Sequence, residues 1–185
     1  MLPFSIVVAF SKNMRGIGHN NQIPWNIPYD TKNFKKITTT TINPNNKNAV
    51  IMGRKTFDSL PDSVKPLPGR VNVVISRSKE LQNYAPGLDC SQNIILASSL
   101  ENAIIMIKEL ENIEETFVIG GASIYKEAIS LPNCKKIYAT IIEKNSCNFD
   151  SFFPYIPDSF VFSNGSKLYT ENQYEFRFME YTRKV

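Results

Sequence analysis

Apolar residues fall in short runs at positions 5–10, 49–52, 71–75, 94–96, 116–119 and 137–142, separated by Gly, Pro, Asn and Ser. The runs are rich in Val and Ile and do not alternate with polar residues. That is the pattern of strands buried on both faces of a largely parallel sheet. Between them the spacing becomes helical. Leu100, Ala103, Ile104, Ile107 and Leu110 follow an i, i+3, i+4, i+7 register, and Ser98 with Glu101 supplies a capping box ahead of them. Shorter helices are predicted over 122–129 and 30–37, the latter stopped upstream by Pro28, and a fourth from Arg54. The stretch 38–48, threonines followed by an Asn- and Pro-rich run, reads as an exposed loop. Near the C-terminus Tyr174, Phe176 and Phe178 alternate with polar neighbours, which predicts a half-buried antiparallel strand at a sheet edge. The fold class is therefore α/β: a mostly parallel central sheet, helices on both faces and an antiparallel C-terminal edge strand.

With 185 residues, one domain over 1–185 is expected. A composition of 42% hydrophobic and 21% charged residues is that of a globular chain and excludes intrinsic disorder. The formal charge of +4 is too small to imply a nucleic-acid partner, though it suits an anionic small molecule if the basic residues converge. The first apolar run is far shorter than a membrane span and lacks a signal peptide's charged start and cleavage site, so a cytoplasmic protein without a membrane partner is expected. Cys90, Cys134 and Cys147 show no CxxC spacing and read as reduced thiols rather than a disulfide or zinc set. His19 is the only histidine, which excludes any scheme that needs two, and no metal site is expected.

Three turns carry anion-binding chemistry. Gly120-Gly121 follows an apolar run and precedes a helix, where paired glycines let the backbone approach a phosphate and free helical N–H groups favour an anion. The pair equally suits a plain tight turn, and it is not the GxGxxG fingerprint. Gly53-Arg54-Lys55-Thr56 sets a glycine turn, two cations and a hydroxyl at a helix start, without the spacing of a Walker loop. Ser76-Arg77 closes the third run. Such strand ends converge on one edge of a parallel sheet, and together they point to a dinucleotide phosphate site.

Asp30 opens a helix after Pro24-Trp25-Asn26-Ile27-Pro28-Tyr29, with Phe34 one turn later on the same face. An acid at a helix start is ordinarily a cap or a dipole partner. Among Trp25, Ile27 and Phe34 it has a second possibility. A carboxylate in an apolar cleft can hold a cationic or amidine-like heterocycle by a bidentate hydrogen bond.

These motifs come in an order. Ile17-Gly18, Ile23-Pro24-Trp25, Asp30 with Phe34, Gly53-Arg54-Lys55-Thr56, Pro66-Leu67-Pro68-Gly69-Arg70, Ile119-Gly120-Gly121 with Tyr125, and Thr140 resemble the ordered landmarks of dihydrofolate reductase. The resemblance runs over about 5–181 with small length changes. Each motif alone is weak; in order they are specific. The stretches 174–183 and Phe152-Phe153-Pro154 are similar to those of eukaryotic members.

The resemblance implies NADPH-dependent reduction of 7,8-dihydrofolate to tetrahydrofolate. Asp30 would bind the pterin's 2-amino group and ring nitrogen and favour protonation of N5, supported by the Thr140 hydroxyl and completed by Trp25, while NADPH delivers hydride to C6. Vertebrate members carry Glu at this position; the Asp form is common in bacterial ones. Val7, Val8, Phe34, Leu60 and Leu67, with Ile119 and Tyr125, would wall the pterin and the aminobenzoyl ring. Arg70 would clamp the glutamate α-carboxylate in a fork that Lys cannot reproduce. Ala9, Ile17 and Ile119 would lie against the nicotinamide. Gly120 and Gly121, joined by a cis peptide in family members, would face the pyrophosphate. Gly18, Gly53, Ala122, Ser123, Ile124 and Tyr125 join the cofactor-binding set. Arg54, Lys55 and Thr56 would take phosphates, and Arg54, Ser76 and Arg77 would hold the 2′-phosphate and select NADPH over NADH.

Two departures matter. Many relatives carry Arg or Lys where Ser98 stands, so Ser98 is read as a helix cap and the 2′-phosphate falls to Arg54 and Arg77. The loop beside the site has an extra residue near Arg15-Gly16. The expected partners are dihydrofolate and antifolate-type small molecules, with the chain acting as a monomer or as the reductase domain of a thymidylate synthase fusion. One rival is a reductase of a related ring, such as the riboflavin-pathway enzymes of the same fold, which has no need of Asp30 together with Arg70. Another is a catalytically silent nucleotide-binding module, which has no need of the set Asp30, Phe34, Arg70 and Thr140.

Overall fold

The computed structural model describes residues 2–77, 94–144 and 147–184. In chain order its elements are β1 (Phe4–Ser11), β2 (Gly16–Gly18), α1 (Pro28–Thr39), β3 (Lys47–Gly53), α2 (Arg54–Asp58), β4 (Arg70–Ile75), β5 (Ile94–Ala97), α3 (Leu100–Lys108), β6 (Ile113–Gly120), α4 (Ala122–Ser130), β7 (Cys134–Lys144), β8 (Ser151–Phe152), β9 (Phe160–Gly165), β10 (Tyr169–Glu171) and β11 (Tyr174–Arg183). Each apolar run has become a strand. Among the described residues the main sheet runs β10-β11-β7-β1-β6-β3-β4-β5. Neighbours from β7 to β5 are parallel, and β11 is antiparallel to β7. The short strands β9 and β10 both pair with the outer side of β11, so they form the outermost edge at that end.

Burial on both faces explains the unbroken apolar runs. Ile6, Val8, Ile51, Val73, Val118 and Ile137 point to one face, under Leu100, Ile104 and Ile107 of α3 and Ala128 and Ile129 of α4. Val7, Val50, Met52, Val74, Phe117 and Ile119 point to the other, against Phe34 and Ile37 of α1 and Phe57 of α2. Among the described residues no helix is long and apolar enough to cross a membrane.

Local expectations shift where tertiary partners intervene. Pro28 does not stop α1 but lies in its first turn, where a missing N–H leaves no helical bond unmade. The helix runs on through Thr38, which is fully buried and donates its hydroxyl to Phe34 O at 2.8 Å, so the loop expected over 38–48 is confined to 40–46. Asn48 lies buried in β3, joining Thr40 O and Glu115 N through its amide. The cap of α3 is Ser99 rather than Ser98: Ser99 Oγ accepts from Asn102 N, and Asn102 Oδ1 accepts from Ser98 N. Asn102 thus takes the reciprocal role expected of Glu101. Cys134 is buried and Cys147 half-buried, both as free thiols, and Cys90 lies outside the described residues.

Candidate active site

A cleft of about 2030 Å³ runs from α1 across β1 to the carboxyl ends of β6, β3 and β4. Every site residue nominated from the sequence lines it; Ser98 does not. The parallel strands bring the three glycine and basic turns to one edge, while α1 and β7 close the opposite end.

Asp30 sits in the first turn of α1, behind an N-cap position held by Ile27. It is not the helix cap. Instead Thr140 on β7 donates its hydroxyl to Asp30 Oδ1 at 2.6 Å. Scarce solvation raises the Asp30 carboxyl from 3.8 to about 6, and the Thr140 hydrogen bond works in the opposite direction. Below lies Tyr125, buried, donating its hydroxyl to Val7 O at 2.9 Å. Burial and the Asp30 charge push that phenol well above its usual range, so it stays a donor. Trp25 is 8% exposed and packs with Ile27, Ile142 and Phe176 beside the acid. Val7, Ile119, Phe34, Leu60 and Leu67 share one apolar cluster. Val8 touches the cleft, but its side chain belongs to the opposite face's core.

Arg70 is 3% exposed, with Nη1 donating to Thr38 Oγ1 at 2.7 Å, Nε donating to Pro68 O at 3.1 Å, and the Phe34 ring 5.8 Å from Cζ. Burial lowers its guanidinium to about 10, so it remains a cation at neutral pH. Such a rigid fork beside an apolar wall is suited to a carboxylate.

At the other end Gly53, Gly120 and Gly121 come together. A Cβ on Gly121 would stand 3.2 Å from Thr56 Oγ1 and one on Gly120 3.3 Å, while a Cβ on Gly53 would meet Gly121 N at 3.8 Å. Gly120 has φ +133°, a conformation that favours glycine, and the Gly120–Gly121 peptide is cis. A side chain at Gly120 or Gly121 would therefore crowd the Thr56 hydroxyl, so the backbone is left bare on the cleft side. Arg54, Lys55 and Arg77 line the same end.

The family model for dihydrofolate reductase matches residues 3–183. The chain belongs to the dihydrofolate reductase family. It is 38% identical over 161 residues to a dihydrofolate reductase of Drosophila melanogaster, covering 86% of this chain and 84% of that protein. A dihydrofolate reductase of Heliothis virescens is 39% identical over 156 residues, covering 84% and 80%. Bifunctional dihydrofolate reductase-thymidylate synthase 1 of Arabidopsis thaliana is 40% identical over 187 residues, covering 97% of this chain and 34% of that protein. The chain thus spans about a third of that plant relative's length.

Several supports of this reductase-family site were not nominated from the sequence. Asn72 Oδ1 accepts from Leu67 N and its Nδ2 donates to Leu67 O and Arg70 O, which fixes the turn that presents Arg70. A lone Asn inside an apolar run was the available signal. The loop after β1 is anchored by β8: Gly16 pairs with Phe152 and Gly18 with Ser151, and Asn20 N donates to Asp150 Oδ2 at 2.7 Å. At the extra loop residue, Arg15 lies 3.3 Å over the Tyr155 ring and donates Nε to Phe153 O. No local pattern announces these partners, since each is well over a hundred residues away.

Proposed function

We propose that this chain reduces 7,8-dihydrofolate to 5,6,7,8-tetrahydrofolate with NADPH, consuming one proton. The observation that carries the reading is Asp30, a carboxyl with an affinity for protons near neutrality, bonded to Thr140 at one end of a cleft whose other end is a glycine cradle. The cradle fits a pyrophosphate, because the space at Gly120 and Gly121 is what a side chain would fill. When bound, NADPH supplies the hydride that goes to C6 of the pterin.

The residues of the chain do the rest. Thr140 takes one acceptor site of Oδ1, which leaves Oδ2 and the second site of Oδ1 to receive the pterin's 2-amino group and ring nitrogen as a bidentate pair. A pKa of about 6 lies close enough to working pH for the group to assist proton delivery to N5. Trp25 and the Val7, Phe34, Leu60, Leu67 and Ile119 wall exclude water from the ring, and the Arg70 fork takes the α-carboxylate. Ala9, Ile17 and Gly18 border the nicotinamide; Gly53, Thr56 and the start of α4 at Ala122, Ser123 and Ile124 border the phosphates. Arg54, Ser76 and Arg77 hold the 2′-phosphate.

The test is loss of the NADPH absorbance band on adding dihydrofolate, with NADH in parallel. Rapid loss with NADPH and little with NADH is expected. Equal rates would keep the reaction and reject Arg54 and Arg77 as selectors. Tight NADPH binding with no oxidation would overturn the reading.

A further inference from the structure

The first turn of α1 lacks a cap of its own. Ile27 at the N-cap position has no side-chain acceptor, and Pro28 has no N–H, so the first donor that needs a partner is Tyr29 N. Its acceptor comes from far away: Glu171 Oε2 at the end of β10, 2.8 Å distant and 142 positions along the chain. Two further contacts surround this one. Asn172 Nδ2 donates to Asn26 O at 3.1 Å. The Tyr169 ring meets the Tyr29 ring edge-on at 5.1 Å.

The gripping element is a tight hairpin. Asn172 and Gln173 have φ of 47° and 65°, and Glu171 pairs with Tyr174 across the turn. Two consecutive left-handed residues match the twist of a two-residue hairpin and leave it little freedom. Its second strand, β11, continues into the sheet and sets Phe178 opposite Thr140. One β-ribbon therefore holds the backbone next to Asp30 and also flanks the residue that binds the Asp30 carboxyl. A carboxylate on free N–H groups at a helix start is favourable in its own right.

We propose that Glu171 is a positioning residue for Asp30, fixing the first turn of α1 so that the Asp30 carboxyl meets both Thr140 and the substrate ring. This rests on the reading of Asp30 given above. Glu171 touches no substrate; it acts through the backbone of Tyr29. The sequence offers no sign of it, because an acid before an Asn-Gln turn is ordinary hairpin chemistry.

The experiment compares Glu171→Ala and Glu171→Gln with the wild-type chain. Amide exchange at Tyr29, read by NMR without ligands, should be about fivefold faster in the Ala variant, the loss of a typical cap. Its kcat for dihydrofolate should fall about threefold to tenfold with a shifted pH midpoint, because small misplacements of a reacting group are costly. NADPH affinity, set at the far end of the cleft, should stay unchanged. The Gln variant keeps an acceptor oxygen and should recover most of both losses. Accelerated exchange with wild-type kcat and pH midpoint overturns the proposal, as does unchanged exchange. If the wild-type chain oxidises no NADPH with dihydrofolate while exchange still depends on Glu171, the functional reading falls, taking the positioning role with it and leaving only a helix cap.

Discussion

Thr140 Oγ1 and Asp30 Oδ1 are 2.6 Å apart although the two residues are separated by 110 positions. β7 holds Thr140 between Ala9 of β1 and Phe178 of β11, so the hydroxyl is placed by three strands rather than by a loop. A hydrogen bond to the charged carboxylate favours that form, and here it opposes the effect of burial. Thr140→Val removes the opposition. The Asp30 pKa should then rise above about 6, and the midpoint of the pH dependence of hydride transfer should rise with it. Single-turnover rates across the neutral range measure this; an unmoved midpoint would show that Thr140 does not tune the acid.

Asp30→Asn separates catalysis from stability. Turnover at neutral pH should fall by roughly a hundredfold or more, the scale of a lost acid–base group. Stability should move the other way. The folded-state pKa of about 6 exceeds the ordinary value of 3.8, so the folded chain binds the proton more tightly than the unfolded chain. Stability from this group is therefore fully present below about pH 4 and is lost as pH rises through about 6. Above that range the charged carboxyl costs on the order of 3 kcal/mol, which Asn does not. Urea unfolding should find the variant more stable near neutrality, with the gap closing in acid. A variant less stable than wild type at neutral pH would mean that Asp30 is better solvated than its surroundings imply.

Much of this was legible in the chain. Strands buried on both faces have an unmistakable pattern, and glycine or basic turns at their ends had to gather on one edge of a parallel sheet. What escaped depends on partners that local pattern does not encode. From its neighbours alone Asp30 reads first as a helix cap or dipole partner; only the resemblance pairs it with Thr140, 110 positions away. The cap expected at Ser98 falls one residue later, at Ser99, because Asn102 donates its N–H to Ser99 Oγ and accepts from Ser98 N. Thr38 looked like loop because threonine is a poor helix former, yet the bond from Arg70 and its own bond to Phe34 O bury it in the helix. Pro28 read as a stop, while at a first turn it is a start.

Arg70 tests the substrate end. Arg70→Lys keeps the cation but loses the fork, and it leaves either Thr38 Oγ1 or Pro68 O without its present donor. Dihydrofolate affinity should fall by about 2 kcal/mol or more, with a larger loss for Arg70→Leu, and NADPH affinity should be unaffected. Titration of each ligand separately reads this out. Equal dihydrofolate affinity in Lys, Leu and wild-type chains would move the carboxylate clamp elsewhere.

Gly121 tests the cofactor end. Its new Cβ in Gly121→Ala would stand 3.2 Å from Thr56 Oγ1, a contact that Thr56 can relieve by a small shift because α2 is only five residues long. Folding should therefore survive with little change in Tm. The methyl group would still occupy the surface where a pyrophosphate approaches the backbone, and moving Thr56 displaces a hydroxyl that lines the same cradle. NADPH affinity should drop about tenfold or more, equivalent to about 1.4 kcal/mol, while dihydrofolate binding to the free enzyme stays as it was. Fluorescence titration distinguishes the cases. A chain with the methyl group and full NADPH affinity would place the phosphates away from the glycine pair, whereas loss of both affinities together would mean that the turn holds the fold rather than the ligand.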